Sequence, residues 1–335
     1  KLVNNESTGK DNTLNVTLDN VNITAKNDAA LSVEGAGDTK ITLRGDNTLT
    51  NDLLHAGLEH NEKSEDGSYT GKLTITSEKD ADGNYTGSLT ATGGNGAAGI
   101  GSSDSNGAGT IEIAGGDITA SGGSDGAGIG SGAYATGETN ITISGTAKIK
   151  AQTDQHGAGI GSGLGATGTT NVNIEGGTIE TAQGGSGGAG IGSSKDSTGT
   201  TTVTIKSGTI KNATGGNTGD GIGGGLDSKN ITVKIEGGTI EKAQGGQGYG
   251  SHDAGSGIRS DGELTISGKA EIKNAIGGNG DSSNSRSDAG DGIRAGTLTI
   301  SGEAHIDNAT GGTADSGSAG DGIYSYGKLT IEGGK

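Results

Sequence analysis

The sequence predicts an all-β chain: a single-stranded parallel β-helix, or solenoid, with about three short strands and about 30 residues per coil. The first observation behind this is a phrase that returns. An isoleucine followed by a small or polar residue recurs at Ile100, Ile129, Ile160, Ile191, Ile222, Ile258, Ile293 and Ile323, with gaps of 29, 31, 31, 31, 36, 35 and 30 residues. The second is alternation. In Asn171-Val172-Asn173-Ile174 the apolar residues fall on every other position, which is the period of a half-buried strand. The third is that no segment offers ten or more residues at helical spacing, so no helix is placed. One coil cannot bury its own apolar side, and stacking coils about 4.8 Å apart joins those sides into one core.

Each element follows from a column of matching residues. The second strand of successive coils supplies Leu73/Ile75, Ile111/Ile113, Ile141/Ile143, Val172/Ile174, Val203/Ile205, Val233/Ile235, Leu264/Ile266, Leu298/Ile300 and Leu329/Ile331. The third supplies Ile118, Ile149, Ile179, Ile210, Ile240, Ile272 and Ile306. β-Branched side chains suit a pleated, stacked surface. Residues 1–335 therefore read as one continuous β-helix, with irregular coils over 1–92 and regular Gly-Ile coils over 93–335. Two echoing phrases, 66–74 and 82–90, each start on a turn dipeptide and read as hairpin-like excursions. In the last three repeats the connection into the Gly-Ile phrase lengthens, over 247–255, 280–290 and 313–320. Sharing one place in the repeat, these loops are expected to stack along one edge, where such folds usually place binding.

Composition narrows the functions. Only 27% of residues are hydrophobic and 74 are glycine, which without the period would suggest disorder. The net charge of −17 and the lack of a basic stripe exclude nucleic acid as an expected partner. No cysteine is present, so disulfides and thiolate chemistry are excluded. No long apolar stretch suggests membrane insertion. The chain starts and stops within strand-like sequence, and we expect a fragment of a longer secreted or surface-anchored protein.

The phrase Asn15-Val16-Thr17-Leu18-Asp19-Asn20-Val21-Asn22-Ile23, then Lys40-Ile41-Thr42-Leu43 and Asp46-Asn47-Thr48-Leu49, resembles the opening of bacterial carbohydrate-binding β-helix proteins of the pectate-lyase-like superfamily. The Gly-Ala-Gly-Ile-Gly phrases resemble repeats of large bacterial surface proteins. The resemblance implies a right-handed helix, a secreted or cell-surface setting, calcium, and binding of acidic polysaccharide or host-surface glycans. The clustered aspartates with a catalytic Arg or Lys that the superfamily's lyases use are not found, so no enzyme is expected.

Three sets of residues are candidates for chemistry. The residue after the recurring isoleucine is Gly101, Gly130, Gly161, Gly192 and Gly223 early, then Arg259, Arg294 and Tyr324. If the isoleucine points inward its neighbour points out, so Arg259, Arg294 and Tyr324 are expected to form an exposed column. With Arg286, His252, Asp253 and Asp288 this column reads as a grip for a carboxylate or a sugar ring; the plain alternative is solubility with local ion pairing. Asp80, Asp82 and Asn84 alternate like the start of a calcium loop, without its later glycine and glutamate; the plainer reading, which we prefer, is a polar hairpin turn. Asp220, Asp291 and Asp321 stand two before the isoleucine, where early coils have alanine. They read as N–H caps at a bend or as cation ligands. Asn212, Asn274 and Asn308 share another slot and suggest a structural hydrogen-bonded ladder. Three functions are weighed: carbohydrate binding or adhesion, with calcium assistance; a passive stalk or filament segment with end-to-end or lateral self-association; and ice binding through Thr202/Thr204 and Thr297/Thr299, against which Glu112, Lys234, Glu263 and Lys328 interrupt the array. A lyase ranks below all three.

Overall fold

The structure, a computed structural model, describes residues 1–5, 12–64, 67–83, 86–283 and 286–333. The predicted columns are files of hydrogen-bonded neighbours. In the first ladder Leu31, Leu58, Ile100, Ile129, Ile160, Ile191, Ile222, Ile258, Ile293 and Ile323 pair in parallel, each with the next. These ten rungs stack to roughly 45 Å. The second ladder carries Ile41, Ile75, Ile113, Ile143, Ile174, Ile205, Ile235, Ile266, Ile300 and Ile331 in one file. The third carries the isoleucines from Ile118 to Ile306, beside an alanine file running Ala91, Ala120, Ala151, Ala182, Ala213, Ala243, Ala275 and Ala309. No α-helix occurs among the described residues. The chain is a parallel β-solenoid.

The core is narrow because each rung contributes only a few aliphatic side chains. Ile100, Ile113, Ile160, Val172, Ile222 and Leu264 are all fully buried. Burying one such side chain contributes about 1.5–3 kcal/mol, and the file repeats that gain at every coil. Asn47 is the polar member of the third-ladder file, opposite Leu89. Although buried, its amide donates to the carbonyls of Arg44 and Ser88 while its oxygen accepts the Val21 N–H. Outside, ion pairs link coil to coil, as in Lys206–Glu175 at 2.9 Å and Lys72–Glu112 at 3.0 Å. Exposed pairs of this kind contribute at most about 1 kcal/mol each.

Residues 51–92, which carry both echoing phrases, keep the coil. Leu58 enters the first ladder, Leu73 and Ile75 the second, and Leu89 and Ala91 the third. The two echoing phrases are corner insertions. One is closed by an antiparallel bridge between Lys63 and Tyr69, and the other by the Thr86 N–H on the Glu78 carbonyl.

The position after the isoleucine differs between early and late coils. Gly101, Gly130, Gly161, Gly192 and Gly223 are buried and hold φ between 136° and 148°, whereas in the expected column Arg259 and Arg294 are half-buried and Tyr324 is exposed. At Gly161 the carbonyl oxygen of Gly192 occupies the place a Cβ would take. Strand alternation does not apply in this left-handed conformation. At Arg259 the backbone becomes ordinary strand, and Ile258–Ile266 runs on without the turn.

That change reshapes a corner of the solenoid. From Ile222 to Val233 the chain takes 11 residues to pass from the first ladder to the second; from Ile258 to Leu264 it takes 6. The corner loop of the earlier coils is missing from the later ones. Loop 224–230 is thus left as a ledge with no loop stacked above it, while the neighbouring corner, just before the first ladder, gains the long loops 247–255, 280–290 and 313–320.

Candidate functional site

Ledge N–H groups bond within their own coil or to the coil below, as Leu226 N–H does on the Gly187 carbonyl and Lys229 N–H on the Ser197 carbonyl. Where the chain leaves the ledge into the strand Ile231–Ile235, side chains of the next coil accept its first N–H groups. Asp261 Oδ2 accepts the Ile231 N–H at 3.1 Å, and Ser260 Oγ accepts the Val233 N–H at 3.3 Å. Arg259 lies over the ledge: its Nη2 donates to the Ser228 carbonyl, its Nε donates to Asp261 Oδ1 at 3.1 Å, and its Nη1 is 3.5 Å from Asp220 Oδ2.

Asp220 is 1% exposed. Its Oδ1 accepts the Ser256 N–H at 2.7 Å and its Oδ2 accepts the Gly224 N–H at 2.8 Å. Burial pushes its carboxyl above the ordinary 3.8, against the opposing pull of Arg259 and the two N–H groups. Asp291 repeats the device. Its Oδ1 accepts the Asp321 N–H at 2.8 Å, Arg294 lies 3.7 Å away, and burial again raises the carboxyl. Early coils satisfy the same N–H locally, as Ala158 does on the Ser162 carbonyl at 3.0 Å. The aspartates therefore serve as inter-coil caps.

The hydrogen bonds of Asp220 and Asp291 bear on the cation reading of these positions. Calcium takes at least about six oxygens, and the Oδ atoms that face these bends already accept N–H groups or face an arginine. Among the described residues no group of three or more Asp, Glu, His or Cys is placed to hold a metal. Of the other candidates, Asp321 is exposed and Asn84 lies outside the described residues. Asp80 Oδ1 takes the Asp82 N–H at 2.9 Å, as in a polar turn.

Above the ledge is a cavity of about 420 Å³ whose walls include Asp220, Arg259, Asp261, His252, Arg294 and Tyr326. Arg294 donates to the Tyr326 hydroxyl, with its guanidinium 5.0 Å from that ring and 5.9 Å from the ring of Tyr324. The two tyrosines meet edge to face at 4.9 Å. Such cation–π contacts fix the guanidinium plane. Of the residues expected to grip a ligand, Arg259, Arg294, His252 and Asp253 come together here. Tyr324 stands behind Tyr326, and Arg286 is on the loop but not on this wall. Asp253 Oδ1 accepts the Asp288 N–H, and Asp288 Oδ1 accepts the Ser318 N–H, so the long loops do stack. With Asp227 also on the wall, four aspartates face two arginines.

The remaining sequence candidates are structural. Asn308 donates to Asn274 Oδ1 at 3.4 Å and to the Lys273 carbonyl, a partial ladder, while Asn212 reaches only the Glu180 carbonyl. The threonine face is interrupted in register, since Glu112 pairs with Thr142 and Lys234 with Thr204. Tyr326 was missed because it lies off the repeat. The ledge was missed too, although the shortening after Ile258 signals it.

Four stretches of the chain match the family model for a beta helix repeat. They are residues 111–133, 141–164, 172–195 and 203–226. Each begins at the same file of the second ladder, Ile111, Ile141, Val172 and Val203. The matches stop at the ledge, and most of the cavity wall lies beyond them. No curated protein and no solved structure matches the chain.

Proposed function

We propose that this chain is a non-catalytic bacterial surface β-solenoid, secreted or held at the cell surface, that binds carbohydrate at the ledge and acts in adhesion. One observation carries the reading. Where the corner loop is lost, a polar cavity of about 420 Å³ opens beside Tyr326, Arg294 and His252. Its size falls in the range of small-molecule sites, roughly 300–1,000 Å³. Its walls offer fixed donors and acceptors with one aromatic ring, which suits a hydroxyl-rich ring.

The charge balance refines the ligand. Arg259 is already engaged by Asp220 and Asp261, so the cavity favours neutral sugars over polyuronates. The regular coils below it act as the spacer that presents the ledge.

The test is a glycan array with the wild-type chain and Tyr326→Ala, each with and without a chelator. Retention of neutral glycans that is lost in Tyr326→Ala supports the reading. Loss on chelation alone would restore the calcium-assisted version. An array that stays blank would leave the passive stalk.

A further inference from the structure

Loop 247–255 has two sides, and only one of them faces the ledge. Residues 249–252 form a tight turn in which the Tyr249 N–H donates to the His252 carbonyl and the His252 N–H to the Tyr249 carbonyl, at 3.3 and 3.1 Å. Gly250 takes φ 61° at its centre, and its N–H donates to Asp281 Oδ2 at 2.7 Å. Asp281 is held in turn by the Ser283 hydroxyl and N–H. Those hydrogen bonds, the Ser283 hydroxyl first, keep its carboxyl below the ordinary 3.8. The tip of the turn is therefore anchored.

The two ends of this turn border different cavities. His252 lines the ledge cavity, whereas Tyr249, 67% exposed, lines a second one of about 490 Å³. The wall of the second cavity is a file. Asn217, Gln247, Asn279 and Thr313 follow the Gly-Gly pair in four successive coils, and backbone bonds keep them in register: Thr218 N–H to Gln247 carbonyl, Gly248 N–H to Asn279 carbonyl, Gly280 N–H to Thr313 carbonyl. All four are exposed. They present amide and hydroxyl groups at intervals of about 4.8 Å along the solenoid axis.

We propose that the Tyr249 cavity is a second sugar subsite, and that one neutral linear oligosaccharide runs across the turn from the ledge into it. This rests on the ledge binding sugar. The ends of a four-residue turn are less than about 7 Å apart, so the two cavities adjoin. A rigid aromatic ring beside a row of neutral donors and acceptors suits the face and hydroxyls of a pyranose. No cationic side chain lines the second cavity, while Asp281 and Asp315 do. An acidic sugar is disfavoured there.

The test is calorimetry with neutral linear gluco-, manno- and N-acetylglucosamine oligosaccharides, each from dimer to hexamer. Affinity is expected to rise with length in the wild type. Tyr249→Ala should lower hexamer affinity about tenfold and leave the dimer unchanged, and Tyr249→Phe should restore it. Tyr326→Ala should weaken dimer and hexamer alike. Length-independent affinity, or a hexamer indifferent to Tyr249→Ala while Tyr326→Ala abolishes binding, overturns the second subsite and leaves the ledge standing. No binding by any oligomer to the wild type removes both.

Discussion

The carboxylate of Asp220 accepts the backbone N–H of Ser256, 36 residues further along the chain, at 2.7 Å. It also holds the Gly224 N–H and faces Arg259. One buried side chain thus joins two coils where their corner loops cease to match. Asp220→Ala would leave two N–H groups without their acceptor and remove from Arg259 one of its two carboxylates, Asp261 remaining. We expect it to lose about 2–4 kcal/mol, chiefly from the two buried N–H groups left unsatisfied. Urea denaturation measures this, and a loss below about 1 kcal/mol would show that Asp220 is not what joins the coils.

The glycine file makes a separate prediction. At Gly161, φ is 143° and the Gly192 carbonyl fills the Cβ position. Gly161→Ala therefore combines backbone strain with a backbone clash, and should cost at least about 3 kcal/mol. Gly262, in the later coils, has open space around its Cβ position and no left-handed φ. Gly262→Ala should stay within about 0.5 kcal/mol of wild type. Equal effects at the two sites, read from thermal melts, would contradict the change of corner geometry at Arg259.

Most of the ladder framework is legible in the sequence, because stacking turns a period in the text into neighbours in space. The file from Ile100 to Ile323 shows this directly. Leu31 and Leu58 belong to the same file but are 27 and 42 residues from their next members. Corner insertions changed the spacing without changing the coil. Asn47 was hidden for another reason: a polar residue occupies a core position because three carbonyls and one N–H satisfy it. The site was harder to read. Alternation placed Arg259 and Arg294 outward, but it carried no sign that Arg259 would be neutralised between Asp220 and Asp261, or that Tyr326 would form the wall.

Stacking also grades the core substitutions. Ile160 is fully buried between Ile129 and Ile191. Ile160→Val should cost about 0.5–1.5 kcal/mol and Ile160→Ala about 2–5 kcal/mol. In a solenoid each coil is stabilised by its neighbours, so the alanine variant should also loosen Ile129 and Ile191. Hydrogen exchange at the amides of these three residues checks it. Protection that falls at Ile160 alone would refute the coupling.

His60 gives a pH dependence. It is fully buried, with Nδ1 2.6 Å from the Ala108 carbonyl and Nε2 2.8 Å from the Gly71 carbonyl. A neutral ring has one N–H and donates to only one of these carbonyls, whereas the imidazolium donates to both. Burial is the larger influence and lowers the imidazole from 6.5, with the carbonyls pulling the other way. The unfolded chain therefore takes up the proton before the folded one does. Stability from neutral His60 is complete above 6.5 and declines as the pH falls below 6.5 toward the lowered value. The urea midpoint should drop across that interval in the wild type and drop less in His60→Gln. A wild-type midpoint that rises on acidification through 6.5, with His60→Gln lacking the rise, would mean that the two carbonyls outweigh burial and hold the ring as imidazolium.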